Sequence, residues 1–379
     1  MPAFDFIRSC LAVLLGLMLL GGHPAHALVS IDDGKNQLFV VGSASYMWDS
    51  NIFASAGGGG DSIYTATVGV EFKRRAGLIG VDASVFLDAS KFAENTGENF
   101  QNPRIKTEFT KQSGRTTGSL TLGAARESRA DTAANLRNES WTYNAGLNFK
   151  YPIIERYSIS GGFGYALRDF KDNTFLVDLS TYTFNADLFY VYNSERDLIA
   201  GYRLRYSETS TNTGFYDHAF TVGVSGKILP KLGGTMRFGY QFREPTNSIG
   251  ESSEAFTISG SATWNLSKKM SSTLSLAKDF STTSTNVSVD TSTATLDTQY
   301  ALNSRMAVAA SAGYGINEFL GSAGGGREDQ FFTGTLGASY TVNQHLNLSL
   351  TYVYFQNWSN FSFSDFIRNS VTLTAASKF

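Results

Sequence analysis

Apolar and polar residues alternate with a period of two from about residue 38 to the end of the chain. Tyr202, Leu204 and Tyr206 are set against Arg203, Arg205 and Ser207, and Met236, Phe238, Tyr240 and Phe242 against Arg237, Gly239, Gln241 and Arg243. Trp141, Tyr143, Ala145, Leu147 and Phe149 alternate with Thr142, Asn144, Gly146, Asn148 and Lys150, and Leu346, Leu348, Leu350, Tyr352 and Tyr354 repeat the pattern near the C-terminus. Neighbouring side chains on a strand point to opposite faces, so each run predicts a strand with one apolar and one polar face. Marking the runs and their breaks gives about 18 strands, within a range of roughly 16 to 20.

The breaks fall into two alternating sets. One is tight: Arg75-Ala76-Gly77, Gln112-Ser113-Gly114, Asn193-Ser194-Glu195, Leu229-Pro230-Lys231, Ser267-Lys268-Lys269, Asn303-Ser304 and Asn343-Gln344-His345. The other is looser, as over 52–61, 94–99, 130–135, 245–250 and 320–327. Short turns at one end and longer loops at the other are the mark of an antiparallel transmembrane β-barrel, and with both termini at the tight end the strand number is even.

Composition decides which way the apolar face points. Only 17% of residues are charged, and 13% are aromatic. The polar faces carry mostly Gly, Ser, Thr, Asn and isolated charges, whereas the solvated sheet faces of a β-sandwich would carry more Lys and Glu. The apolar face therefore points to lipid. Tyr151, Tyr157, Tyr190, Tyr192, Trp264, Tyr300 and Tyr340 beside the tight turns, and Tyr46, Trp48, Trp141 and Trp358 beside the loops, predict two interfacial belts. The net charge is −2, from 31 basic and 33 acidic residues, so nucleic acid is not a partner drawn by bulk charge.

The first 27 residues read as a secretory signal peptide. Arg8 is followed by an apolar run from Leu11 to Leu20, too short to cross a bilayer, and by the small-x-small site Ala25-His26-Ala27. Residues 28–37 then form a periplasmic N-terminal segment and 38–379 the barrel, placed in the outer membrane of a Gram-negative cell. Cys10, the single cysteine, leaves with the signal, so no thiol chemistry is expected.

The last strand places Val371, Leu373 and Ala375 on one face and ends in Phe379, which resembles the C-terminal signal by which barrel assembly machinery recognises its clients. The stretch Tyr46-Met47-Trp48-Asp49-Ser50-Asn51-Ile52-Phe53, an aromatic strand end entering Asp-Ser-Asn-Ile-Phe, resembles the opening of the porin-like outer-membrane barrels associated with exopolysaccharide biosynthesis. That resemblance implies passage of polysaccharide across the outer membrane, in company with periplasmic export components. It carries over no catalytic residue. Read on its own, the octapeptide is a loop entry in which Asp49 and Asn51 accept hydrogen bonds from nearby backbone, with Gly57–Gly60 as a flexible tip.

A barrel of this size leaves a water-filled lumen. No loop exceeds about a dozen residues, so none is expected to fold inward as a plug, and the expected state is an open or weakly gated pore. Alternation places Glu71, Asp82 and Asp88 on one lumen wall and Arg203, Arg205, Arg237 and Arg243 on a wall opposite. These are the selectivity candidates: a transverse field between the walls would orient a charged solute. The alternative is that the same charges pair with lumen neighbours such as Lys73 and Lys106. Phe86, Thr181, Thr183, Thr333 and Thr335 offer sugar-facing surfaces.

An enzyme on a barrel scaffold is a rival reading, but Asp217 and His218 are adjacent on a strand, point to opposite faces and cannot form a dyad. His345 lies in a tight turn. Asp49, Asn51 and Asp61 match no EF-hand spacing, and Gly57–Gly60 is followed by Asp61 rather than Lys, so no metal, phosphate loop or cofactor is expected. A secreted soluble β-protein is the third reading.

Overall fold

The computed structural model describes residues 29–31, 35–171, 175–247, 251–321 and 325–379. The segment read as a signal peptide, Cys10 included, lies outside them. After a short strand β1 (Val29–Ile31) come β2 (Asn36–Asp49), β3 (Asp61–Arg74), β4 (Gly80–Phe92), β5 (Phe100–Lys111), β6 (Thr117–Asp131), β7 (Leu136–Ile154), β8 (Tyr157–Phe170), β9 (Leu179–Asn193) and β10 (Arg196–Thr209). They continue as β11 (Gly214–Leu229), β12 (Leu232–Pro245), β13 (Ser253–Trp264), β14 (Met270–Thr282), β15 (Ser288–Ala301), β16 (Met306–Phe319), β17 (Glu328–Thr341), β18 (Leu346–Ser359) and β19 (Phe366–Lys378).

Each strand from β2 onward pairs antiparallel with its successor, and β19 returns to β2 from Ser370↔Asp49 to Lys378↔Val41. Eighteen strands thus close on themselves, which leaves no unpaired sheet edge around the ring. β1 pairs with residues 36–38 of β2, just beyond the end of β19. The segment expected to precede the barrel is therefore in part strand, and the first barrel strand begins at Asn36 rather than at residue 38.

The connections divide as the sequence suggests. At one rim, turns are as short as two residues (155–156, 194–195 and 230–231); at the other, loops run from four residues (210–213) to eleven (50–60). We call these the turn end and the loop end. Strand faces also follow the alternation. Phe220, Val222, Leu336 and Leu350 point outward and are 50 to 65% exposed, while their small or polar neighbours Ala219, Thr221, Thr335 and Thr351 face in. Tyr165, Tyr182, Tyr206 and Tyr216 stand in register on β8 to β11, with ring centroids 4.9, 6.1 and 4.9 Å apart, and form part of the outward belt at the loop end.

The wall is not uniform at the loop end. The β5–β6 ladder stops at Arg104↔Ala125, although β6 continues to Asp131, and the β13–β14 ladder stops at Ile258↔Lys278, although β14 continues to Thr282. Above these points the β6–β7 and β14–β15 hairpins leave their neighbours and bend into the lumen. Pro103, which has no N–H to donate, stands at the first break.

The face assignment makes a quantitative prediction. Leu350→Arg, on the lipid-facing surface, will lower folding stability by about 2–4 kcal/mol, whereas Thr351→Arg, on the lumen face beside Gly337 and Thr372, will cost under about 1 kcal/mol, as read from urea unfolding in liposomes.

Candidate functional site

Many of the charged strand residues face the lumen, and opposite charges meet there over short distances. Glu71 accepts from Lys378 Nζ at 2.5 Å, Asp82 from Arg75 Nη2 at 2.8 Å, and Asp88 from Arg104 Nε at 3.0 Å. Arg237 reaches from β12 to Asp187 on β9 at 2.5 Å. It lies over Gly201, where a Cβ would come within 2.4 Å of Asp187 Oδ1 and 2.9 Å of Arg237 Nη1. All seven charges read from the sequence thus face the lumen. The separated acidic and basic walls do not arise, because each charge is neutralised by a close partner. Those partners are Lys378, Arg75 and Arg104, not Lys73 and Lys106; Lys106 lies 3.6 Å from Glu108.

Arg203, Arg205 and Arg243 form a denser cluster under the bent β14–β15 hairpin. Arg203 donates to both carboxylate oxygens of Asp279, at 2.9 and 2.6 Å, and Arg205 donates to Asp279 at 3.0 Å and to Asp217 at 2.8 Å. Arg243, almost wholly buried, grips Asp217 at 2.6 and 2.8 Å and donates to the Ser281 carbonyl at 2.8 Å. Arg205 also donates to the Phe280 carbonyl. Asp279, Phe280 and Ser281 belong to β14 beyond its break with β13, so these arginines hold the hairpin inside the barrel. The sequence did not single out Asp279, although a charge at an inward strand position was the available signal.

At the loop end side chains reaching in from facing walls meet across the mouth. The β6–β7 turn is ordered by Asp131, which accepts from the Ala133 and Ala134 amides at 3.0 and 3.3 Å, with Asn135 at φ +54°. Around this turn converge Ser284 of the β14–β15 turn, donating to Asp131 at 2.8 Å, and Arg327 of the β16–β17 loop, donating to the Ala133 and Thr132 carbonyls at 2.9 and 3.2 Å. Asn135 in turn donates to the Ala54 carbonyl at 2.9 Å and accepts from Ser364. Arg137 ties Glu98, at 3.0 Å, to the Ile52 carbonyl, at 3.2 Å. The expectation that no loop folds inward is therefore corrected. Loop length is not the limit, because two whole hairpins bend with their loops.

The octapeptide contributes to this cap. Tyr46 stays outward, its ring 5.3 Å from that of Tyr64. Asp49 is fully buried and pairs with Arg368 at 2.6 Å, Ser50 Oγ accepts from the Asn369 amide at 2.7 Å, and Asn51 donates to the Ser55 carbonyl at 2.9 Å. Ile52 is buried against Ile63 and Phe92, with Met47, Phe53 and Phe100 around them. Five donors from residues 62 to 95 converge on Asp61. Among the described residues no group of three or more His, Cys, Asp or Glu is arranged to hold a metal.

Asp217 points in and His218 points out, where His218 Nδ1 lies 2.8 Å from Tyr202 Oη; the two do not meet as a dyad. His345 Nδ1 lies 2.9 Å from the Lys378 carbonyl, and its ring stacks on Phe379 at 4.6 Å. In the turns, the hydrogen bond from Arg75 to Asp82 raises the pKa of that guanidinium, and the hydrogen bond from Lys227 lowers that of the Glu195 carboxyl.

Beneath the cap and the arginine cluster, a cavity of about 720 Å³ opens toward the turn end. Its wall includes Lys111, Asn148, Lys150, Ser160, Gly162, Asn185, Asp187, Phe189, Arg203 and Arg237. Of the surfaces read as sugar-facing, Phe86 lies under Arg104, 4.2 Å from its ring centre, and Thr181, Thr183, Thr333 and Thr335 face the lumen elsewhere.

This is the closed antiparallel barrel of outer-membrane porins. Residues 213–379 match the family described as "Putative beta-barrel porin 2". Solved structures with the same fold include Pseudomonas aeruginosa OccK2 (OpdF) in complex with glucuronate, 12% identical with a TM-score of 0.52 over 91% of this chain and 98% of that one. Pseudomonas aeruginosa OpdK with vanillate is 13% identical with a TM-score of 0.50 over 90% and 99%, and Acinetobacter baumannii OccAB2 is 10% identical with a TM-score of 0.51 over 91% and 98%. No curated protein matches the chain.

The cluster supplies a contrast in stability. Asp217→Asn, which leaves Arg205 and Arg243 without their shared carboxylate, will destabilise the protein by about 3–5 kcal/mol. Asp82→Asn, at a pair on the exposed rim, will cost under about 1 kcal/mol. Urea midpoints of the refolded variants give both values.

Proposed function

We propose that the chain is a porin-like channel of the Gram-negative outer membrane that passes hydrophilic solutes, with its loops outside the cell and its turns in the periplasm. The observation that carries this reading is a closed barrel, apolar outside, whose polar interior contains a cavity of about 720 Å³ open toward the turn end. The small solutes named with two proteins of similar fold, glucuronate and vanillate, are of a size that such a cavity accommodates. Export requires the signal segment at residues 1–27 and insertion by barrel assembly machinery, for which the outward-paired last strand ending in Phe379 is the recognised element.

Passage of exopolysaccharide with periplasmic export components is the finer reading that the octapeptide suggests. The octapeptide adds little to it, since Asp49, Asn51 and Ile52 are occupied in pairing and packing within the cap. A polymer would require the loop end to open; a small solute needs only part of that movement. An enzymatic role finds no support at His218, whose neighbour Asp217 is held by two arginines on the opposite face.

The test is single-channel conductance in planar bilayers. The purified protein will conduct in brief or small steps, and replacement of Arg327 by Ala together with Asn135 by Gly, which removes contacts across the mouth, will raise the conductance several-fold. Silence from both proteins, inserted and folded, would sink the channel reading.

A further inference from the structure

We infer that the turn-end cavity binds a carboxylate-bearing, sugar-sized solute, with Lys150 as its counter-ion. The inference deepens the channel reading, and rests on it for physiological meaning.

Several lumen cations are already neutralised. Lys378, Arg75, Arg104, Arg203, Arg205, Arg237 and Arg243 each lie within 3.0 Å of a carboxylate. Lys150 faces the same lumen, yet among the described residues no carboxylate pairs with it. Its ammonium instead lies 4.1 Å from the centre of the Phe189 ring. An aromatic face fixes a cation in place but leaves its charge uncompensated, so a positive group stands ready in the cavity wall.

The neighbouring positions supply what a sugar ring would use. Asn148, Gly162 and Asn185 lie side by side on β7, β8 and β9, and the next row is Lys150, Ser160 and Asp187. At the centre of the first row a Cβ on Gly162 would fall 2.7 Å from Asn148 Oδ1 and 3.6 Å from Asn185 Nδ2. The glycine therefore lets the Asn148 amide lie across β8 toward that of Asn185, so that two amides that donate and accept stand together in the wall. Ser160 adds a hydroxyl, which donates to Asp187 at 3.3 Å, and Phe189 an apolar edge. Amides and a hydroxyl match ring hydroxyls, the phenyl ring matches C–H groups, and the ammonium matches one carboxylate. Asp187, although held by Arg237, disfavours a more highly charged anion such as a phosphate dianion. A cavity of about 720 Å³ is the size of small-molecule sites in general.

The experiment is calorimetric titration of the full chain, refolded in detergent, with sodium glucuronate, glucose and sodium acetate as probes. Glucuronate will bind, and glucose and acetate at least about tenfold more weakly, because one lacks the charge and the other the ring. Lys150→Gln will weaken glucuronate at least about tenfold while Lys150→Arg keeps it within about threefold, the size of one charge-assisted contact. Gly162→Val, which displaces the Asn148 amide, will abolish binding; folding of each variant is checked by heat-modifiable mobility on gels. No glucuronate binding by the parent protein, equal binding of glucose, or a Lys150→Gln variant that binds as before would each overturn the assignment. Conductance is scored separately: a pore that conducts without binding glucuronate keeps the channel reading and loses this one, and a protein that binds without conducting does the reverse.

Discussion

The backbone hydrogen bond between the last strand and the first is the interaction on which the whole structure depends. In hydrocarbon an unpaired N–H or C=O costs several kcal/mol, so a sheet exposed to lipid is stable only when it has no edge. The β19–β2 ladder removes both edges at once. Once the ring is closed, the period of two has a fixed meaning: one residue of each pair faces lipid, the other the lumen. Register shifts occur beside the turns, at Pro152/Ile154, Arg196/Asp197 and Lys227/Leu229, while at the loop end the β5–β6 and β13–β14 ladders stop and the freed segments turn inward, covered by loops and bound by side chains.

Inside the ring, electrostatics follow from confinement. Charges that face a narrow polar space and cannot all remain fully hydrated lower their energy by pairing, and neighbouring strands offer partners within a side chain's reach. The arginine cluster at Asp217 and Asp279 shows this at its strongest, since it also satisfies carbonyls of the bent hairpin. The lumen is then close to neutral over most of its wall. The charge of Lys150, with which no carboxylate among the described residues pairs, is local, and locality is what gives a site rather than a field.

Much of this was legible in the residues. Strand number, the alternation of tight and loose connections, and the inward direction of Glu71, Asp82, Asp88, Arg203, Arg205, Arg237 and Arg243 follow from periodicity alone, because face and end are one-dimensional properties. Partnership was not legible. Arg237 meets Asp187 three strands away, and Arg203 meets Asp279 across four, distances in sequence that alternation does not measure. The cap escaped for a related reason: the length of a loop says how far the loop reaches, but here the strands beneath it bend as well. Pro103, inside an otherwise regular strand, was the signal that a ladder stops there. The octapeptide was noticed for its resemblance, while its burial against Ile63 and Phe92 depends on residues far along the chain.

The seam between β2 and β19 has a consequence for how the molecule is made. Phe379 exchanges two 2.9 Å backbone hydrogen bonds with Val40, and Asn51 donates to the Ile367 carbonyl. Partners at opposite ends of the barrel's strand order can meet only after all the strands between them exist, so the hairpins can form as they emerge but the cylinder cannot. Until that moment two bare strand margins exist, each a template for joining another molecule. Closure is thus gated by β19, and the interval before it pairs with β2 is when the nascent protein most needs shelter.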